Sequence, residues 1–114
     1  MSYYVLPEPE EVSFDRAGVK GKLFPTFGLT AEAQYTVVVA EAGQQITLIE
    51  HESDLAYYIL EGQGQFIIDE TVEECHAGNL VVIPMGTKFT YQGQLKMLEV
   101  CTPPWEEEQE ETVI

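Results

Sequence analysis

Proton transfer at neutral pH needs a side chain that titrates there, and His51 and His76 are the two histidines of the chain. Nucleophilic chemistry would need an activated serine or thiol. No Gly-x-Ser-x-Gly elbow occurs, and Cys75 and Cys101 lie too far apart for a Cys-x-x-Cys metal or redox motif. Two cysteines are also too few for a disulfide scaffold, so they read as buried thiols on strands. His76 stands at a strand end before Gly78 and reads as a turn or surface residue. His51 is flanked by Glu50 and Glu52, which strand alternation sends to the face opposite its own. It is either a core imidazole satisfied by a hydroxyl or carbonyl, or the proton-transfer group of a site.

The elements that position such residues follow from length and pattern. With 114 residues and 45 % apolar composition, the chain fits one compact unit with a real core. Acidic residues outnumber basic ones 20 to 5, and a net charge of −15 repels nucleic-acid backbones and anionic membranes. No run of 18 apolar residues occurs, and the N-terminus MSYYVLPEPEE lacks a basic stretch followed by an apolar one. The expectation is a cytoplasmic protein with no nucleic-acid or membrane partner.

From Tyr35 to Val100 the chain alternates short β-type runs with turn residues, so an all-β fold is expected. Candidate strands are Tyr35–Ala40, Ile46–His51, Ala56–Leu60, Gln65–Asp69, Leu80–Ile83, Phe89–Tyr91 and Leu95–Cys101. Residues 1–34 are punctuated by Pro7, Pro9, Gly18, Gly21, Pro25 and Gly28, and read as an arm with one or two edge strands. Leu23, Phe24, Phe27 and Leu29 are expected to cover a barrel mouth or meet a second subunit. Residues 35–102 form the barrel core. In 103–114, Glu106, Glu107, Glu108, Glu110 and Glu111 follow Pro103-Pro104-Trp105, and a tail so acidic reads as solvated and mobile.

Within the core two spaced patterns stand out. Gly43, five residues, Ile49-Glu50-His51, three residues, Leu55, six residues and Gly62 form the first. Gly78, five residues, Pro84-Met85-Gly86, two residues and Phe89 form the second. With the words YYILEGQGQF and GNLVVIPMG, this frame resembles the cupin superfamily. The resemblance implies a cupin-like double-stranded β-helix, or jelly-roll barrel. It also implies that Ile49, His51, Leu55 and Phe89 stand where metal-binding cupins carry their four ligands. Three hydrocarbons cannot offset the dehydration of a divalent cation, so neither metal nor other cofactor is expected.

In such a barrel the period of two puts Thr47, Ile49 and His51 on the inner wall with Leu55, Tyr57 and Ile59, joined by Phe89 and Tyr91. Three functions then compete. A metal-free barrel binds a small organic ligand or serves as a non-enzymatic accessory domain. A metal-independent isomerase or epimerase uses His51 as base with Tyr57 or Tyr91 as acid, as the resemblance to metal-free epimerases of the superfamily implies. Arg16, Lys20, Lys22, Lys88 and Lys96 are too few to favour a nucleotide-sugar diphosphate. A structural or regulatory homodimer has a filled barrel. A homodimer is expected in any case, because Ile46, Leu48, Tyr58 and Leu60, taken to lie opposite the inner wall, are apolar too.

Overall fold

The computed structural model describes residues 4–27, 29 and 32–113; Met1-Ser2-Tyr3, Gly28, Thr30, Ala31 and Ile114 lie outside the described residues. Among the described residues nine strands make one curled sheet: β1 (Phe14–Arg16), β2 (Val19–Leu23), β3 (Gln34–Ala40), β4 (Thr47–Glu50), β5 (Asp54–Ile68), β6 (Thr71–His76), β7 (Leu80–Ile83), β8 (Lys88–Thr102) and β9 (Glu110–Val113). All pairings are antiparallel. The path β1-β2-β3-β8-β4-β9 is continuous, while β5 pairs with β6, β7 and β8.

β5 and β8 are the frame of the barrel, each 15 residues long and paired from Asp54↔Thr102 to Ile68↔Phe89. Gly62 and Gly93, which read as strand breaks in the sequence, lie inside this ladder. At Gly62, with φ of 95°, a Cβ would stand 2.0 Å from the Gln94 carbonyl oxygen. Only a missing side chain permits so close an approach, and the tight coiling it allows carries both strands through their centres. Four of the short strands expected from sequence are therefore two long ones. A bulge between Ile59 and Glu61 also changes the inward parity of β5, from Leu55, Tyr57 and Ile59 to Phe66.

β6 was not among the expected strands. Thr71, Val72, Glu73, Glu74 and His76 are all exposed and Cys75 alone is buried, so its residues carry no alternation of hydrophobicity. Ile59 and its cross-strand neighbour Met97 are fully buried at one end of the barrel, with Leu95 nearly so, while Phe66 is buried beside Tyr91 and Ile83 beside Leu55. Each such side chain contributes about 1.5–3 kcal/mol through its burial.

Residues 4–12 run outside the strands, where Glu8 meets Lys96 at 3.1 Å and Lys22 at 3.8 Å. Phe27 is fully exposed, whereas Leu23 borders the open end of the barrel.

The acidic segment is not a solvated tail. After Trp105 it forms a 3-10 turn, Glu107–Gln109, and then β9, which pairs Thr47↔Val113 through Glu50↔Glu110 with the free edge of β4. Backbone hydrogen bonding along that edge is indifferent to side-chain charge, and partners far away in sequence reduce the repulsion. Arg16 Nη2 donates to both carboxylate oxygens of Glu110, at 2.5 and 2.6 Å, and Glu111 meets His51. Buried Gln109 locks the turn: its Nε2 donates to Ser53 Oγ at 2.7 Å, and Ser53 Oγ donates to the Pro103 carbonyl at 2.7 Å. Among the described residues no helix is long and apolar enough to cross a membrane.

Candidate functional site

The open end of the barrel holds a cavity of about 610 Å³. Its position follows from the strands that border it. β5 presents Leu55 and Tyr57, β8 presents Phe89, Tyr91, Glu99 and Cys101, and β3 presents Val38. β4 presents Leu48 and Glu50, with Ile46 just before it. Arg16, Glu107, Glu110 and Trp105 stand around the same space from β1, the 3-10 turn and β9.

Leu55, Tyr57, Phe89 and Tyr91 occupy the wall as the sequence pattern predicts. Ile59 also points inward, but into the filled end, beyond the cavity. Thr47, Ile49 and His51 do not reach the cavity. β4 is held between β8, through Leu48↔Phe89, and β9, and its buried positions are Leu48 and Glu50. A shift of one residue exchanges the faces of a strand. Here Ile46 and Leu48 share one parity against Ile49 alone on the other, so burial favours the parity that the motif alignment did not choose. Ile46 and Leu48, read as outward, consequently line the interior.

His51 is thereby outside. Its Nε2 lies 2.7 Å from Glu111 Oε1 and both side chains are about half exposed, so the pair is a cross-strand surface contact between the ends of β4 and β9. The same register brings Glu50 inside, 5 % accessible, where sequence reasoning had sent it to the other face. His76 is exposed, with Nδ1 against the Ala77 carbonyl at 2.9 Å.

The cavity is acidic and its acids are perturbed. Burial pushes the Glu50 carboxyl up to about 7, aided by Glu110 and Glu99 and offset by the neighbouring Gln109 amide and His51. Among the described residues no hydrogen-bond partner reaches Glu50 Oε1. Burial likewise raises Glu99, although Tyr57 OH donates to its Oε2 at 2.6 Å and Arg16 opposes the shift. Burial and the Glu99 charge raise both Tyr57 and Tyr91, which are neutral phenols at physiological pH. Cys101 is pushed up to about 11 by burial and donates to the Pro103 carbonyl at 3.3 Å, so it is a thiol without nucleophilic character. Tyr57 centres an aromatic cluster, with ring centroids 5.4 Å from Phe66, 6.0 Å from Phe89 and 5.8 Å from Tyr91. Strand alternation found the tyrosines. The two glutamates carried no signal beyond their charge, because each is recognisable only once its strand's register is known.

A metal centre of the cupin kind does not fit these residues. With the register observed, the groups facing the corresponding position are Leu48, Glu50, Leu55 and Phe89, a single carboxylate among hydrocarbons. Among the described residues no group of three or more His, Cys, Asp and Glu side chains could hold a cation.

No protein-family profile and no curated protein matches the chain. Its fold is matched by solved structures. A histidine-to-glutamine variant of Streptomyces PAC13 with uridine gives a TM-score of 0.88 at 24 % identity, over 99 % of this chain and 92 % of that one. Pac13 is described as a nucleoside dehydratase. Ectoine synthase from P. lautus gives 0.76 at 18 % identity, over 97 % and 91 % of the two chains. An RmlC-like cupin from Desulfovibrio desulfuricans gives 0.65 at 24 % identity, over 92 % and 98 %. With its coiled β5–β8 ladder and glycine-marked turns, this chain is a small β-barrel of the cupin fold.

Proposed function

We propose that the barrel binds one nucleoside-sized organic molecule in its open end and moves protons on it, as a dehydratase or isomerase does. The observation that carries this reading is the Tyr57–Glu99 hydrogen bond of 2.6 Å facing the same cavity as Glu50. About 610 Å³ lies within the range of small-molecule sites, roughly 300–1,000 Å³. An acid held near neutrality exists in both protonation states at pH 7, which suits Glu50 either to accept or to deliver a proton.

In an elimination, one carboxylate takes a proton from carbon while an acid protonates the departing hydroxyl. Substrate then becomes an unsaturated product and water, with no change of oxidation state to supply from outside. Glu50 and Glu99 provide the carboxyls; Tyr57 orients Glu99 through its donated hydrogen bond and, with Tyr91, borders the ligand. His51 has no part in this, because it stands outside the barrel. The likeness to Pac13, a nucleoside dehydratase seen with uridine, supports both the size of the ligand and the class of reaction. Ligand binding without turnover would use the same cavity and is separated from this reading by the assay below.

Uridine and related nucleosides are the compounds to test. Binding is expected to shift the amide resonances of Tyr57, Tyr91 and Glu99, and for any nucleoside turned over Tyr57→Phe should slow the reaction about 100-fold. Binding without turnover across such a series would leave a binding barrel, and no binding would remove the nucleoside reading. We also propose that the chain is a cytoplasmic homodimer. Tyr58, Leu60, Leu80 and Val82, between 40 % and 60 % exposed, form an apolar outer face on β5 and β7. Sedimentation of the protein and of Leu80→Asp tests this, since the substitution should give monomers.

A further inference from the structure

Four glutamates border the cavity: Glu50 from β4, Glu99 from β8, Glu107 from the 3-10 turn and Glu110 from β9. Among the described lining residues the only basic side chain is Arg16, and its Nη2 already donates to both carboxylate oxygens of Glu110. The field inside is therefore negative, and a phosphate or carboxylate ligand would meet like charge at the wall.

Within that wall Glu50 is exceptional. It is 95 % removed from solvent, yet among the described residues Oε1 has no donor. A buried acceptor left in that state costs about 1–3 kcal/mol, which a ligand recovers by supplying a donor. The rings of Tyr57, Phe89 and Tyr91 line the same space, with Tyr57 centred about 6 Å from each of the other two. Aromatic faces attract cations, and do so most strongly where water is excluded. A buried carboxylate with one oxygen lacking a donor, sharing a cavity with three aromatic rings, is the pairing that recognises an ammonium group.

We infer that the cavity takes a ligand bearing a cationic nitrogen, held by Glu50 against Tyr57, Phe89 and Tyr91. The inference goes beyond the nucleoside reading and does not require it. Ammonium binding needs Glu50 ionised. The charged groups that act on Glu50 are Glu99 from β8, Glu110 from β9, itself paired with Arg16 of β1, and His51, the next residue along the chain. The acids among them oppose that ionisation and the cationic partners assist it. Uptake of an amine is accordingly linked to loss of the Glu50 proton, and affinity rises with pH through neutrality.

The test compares benzylamine, protonated at both pH 6 and pH 8, with benzyl alcohol, which has nearly the same shape and no charge. Titrations are followed by amide chemical shifts in the full chain. At pH 8 the amine should bind at least tenfold more tightly than the alcohol, and about tenfold more tightly than it does itself at pH 6. Glu50→Gln, which keeps the size and the fold, should abolish both differences. Glu73→Gln, exposed on β6, removes the same charge elsewhere and should abolish neither. Equal affinities for amine and alcohol, no binding of the amine, or a preference that survives in Glu50→Gln would each overturn the inference. The nucleoside reading is decided separately by the uridine titration, so the two can fail independently.

Discussion

The barrel has a filled end and a hollow end, and the same two strands build both. β5 contributes Ile59 to the filled end and Leu55 and Tyr57 to the hollow one; β8 contributes Leu95 and Met97 to the first and Phe89, Tyr91, Glu99 and Cys101 to the second, and Phe66 packs between them against Tyr57 and Tyr91. At the filled end every inward side chain is a hydrocarbon or thioether. At the hollow end two carboxylates are drawn out of water, one with an unpartnered oxygen. Nothing in the fold requires those acids, since an apolar residue at either position would be less costly to bury. The contrast teaches that the hollow end is shaped by something other than stability, and acids of raised pKa in a cavity are what chemistry at a site requires.

Substitutions can sharpen or break this division. Ile59→Ala, at the filled end, should cost about 4 kcal/mol in denaturant unfolding, because the void it leaves has no way to collapse. Leu48→Ala, at the hollow end, should cost about 2 kcal/mol, the transfer contribution alone, since it only widens an existing space. Equal costs at the two ends would remove the distinction.

Glu50→Gln should do the opposite and stabilise the protein. The folded-state pKa of Glu50 lies above its ordinary value of 4.5, so the folded chain holds the proton more tightly than the unfolded one. Stability associated with that proton is complete below about pH 4.5 and is lost as the pH rises to about 7. The variant resembles the protonated form, so it should match the parent near pH 4 and exceed it by about 3 kcal/mol at pH 8. Thermal unfolding at the two pH values provides the check. His51→Ala should have the smallest effect, under about 0.5 kcal/mol, because an exposed ion pair contributes little. A loss of several kcal/mol there would show that the imidazole is interior after all.

The fold was legible in the sequence where turn chemistry is local. The spacing of Gly43, Gly62, Gly78 and Pro84-x-Gly86 marks the barrel, and the inward set Leu55, Tyr57, Phe89 and Tyr91 follows from alternation. What was not legible depends on partners distant in the chain. The register of β4 is decided by β8 and β9 together, and its own residues have apolar members on both faces. A misjudged face put His51 in the site and left Glu50 out. Likewise, a run of glutamates looks incapable of joining a sheet until its neighbours are known: Arg16, 94 residues from Glu110, and His51, 60 residues from Glu111. Gly62 and Gly93 misled in the other direction, because in a coiled ladder a glycine continues a strand that it would end elsewhere.

The central claim, that β4 turns Glu50 into the hollow end and His51 out of it, can be measured through the side-chain carboxyl carbon of Glu50. Its NMR titration should have a midpoint near pH 7. A midpoint near 4.5, the ordinary value for a solvated glutamate, would contradict the account.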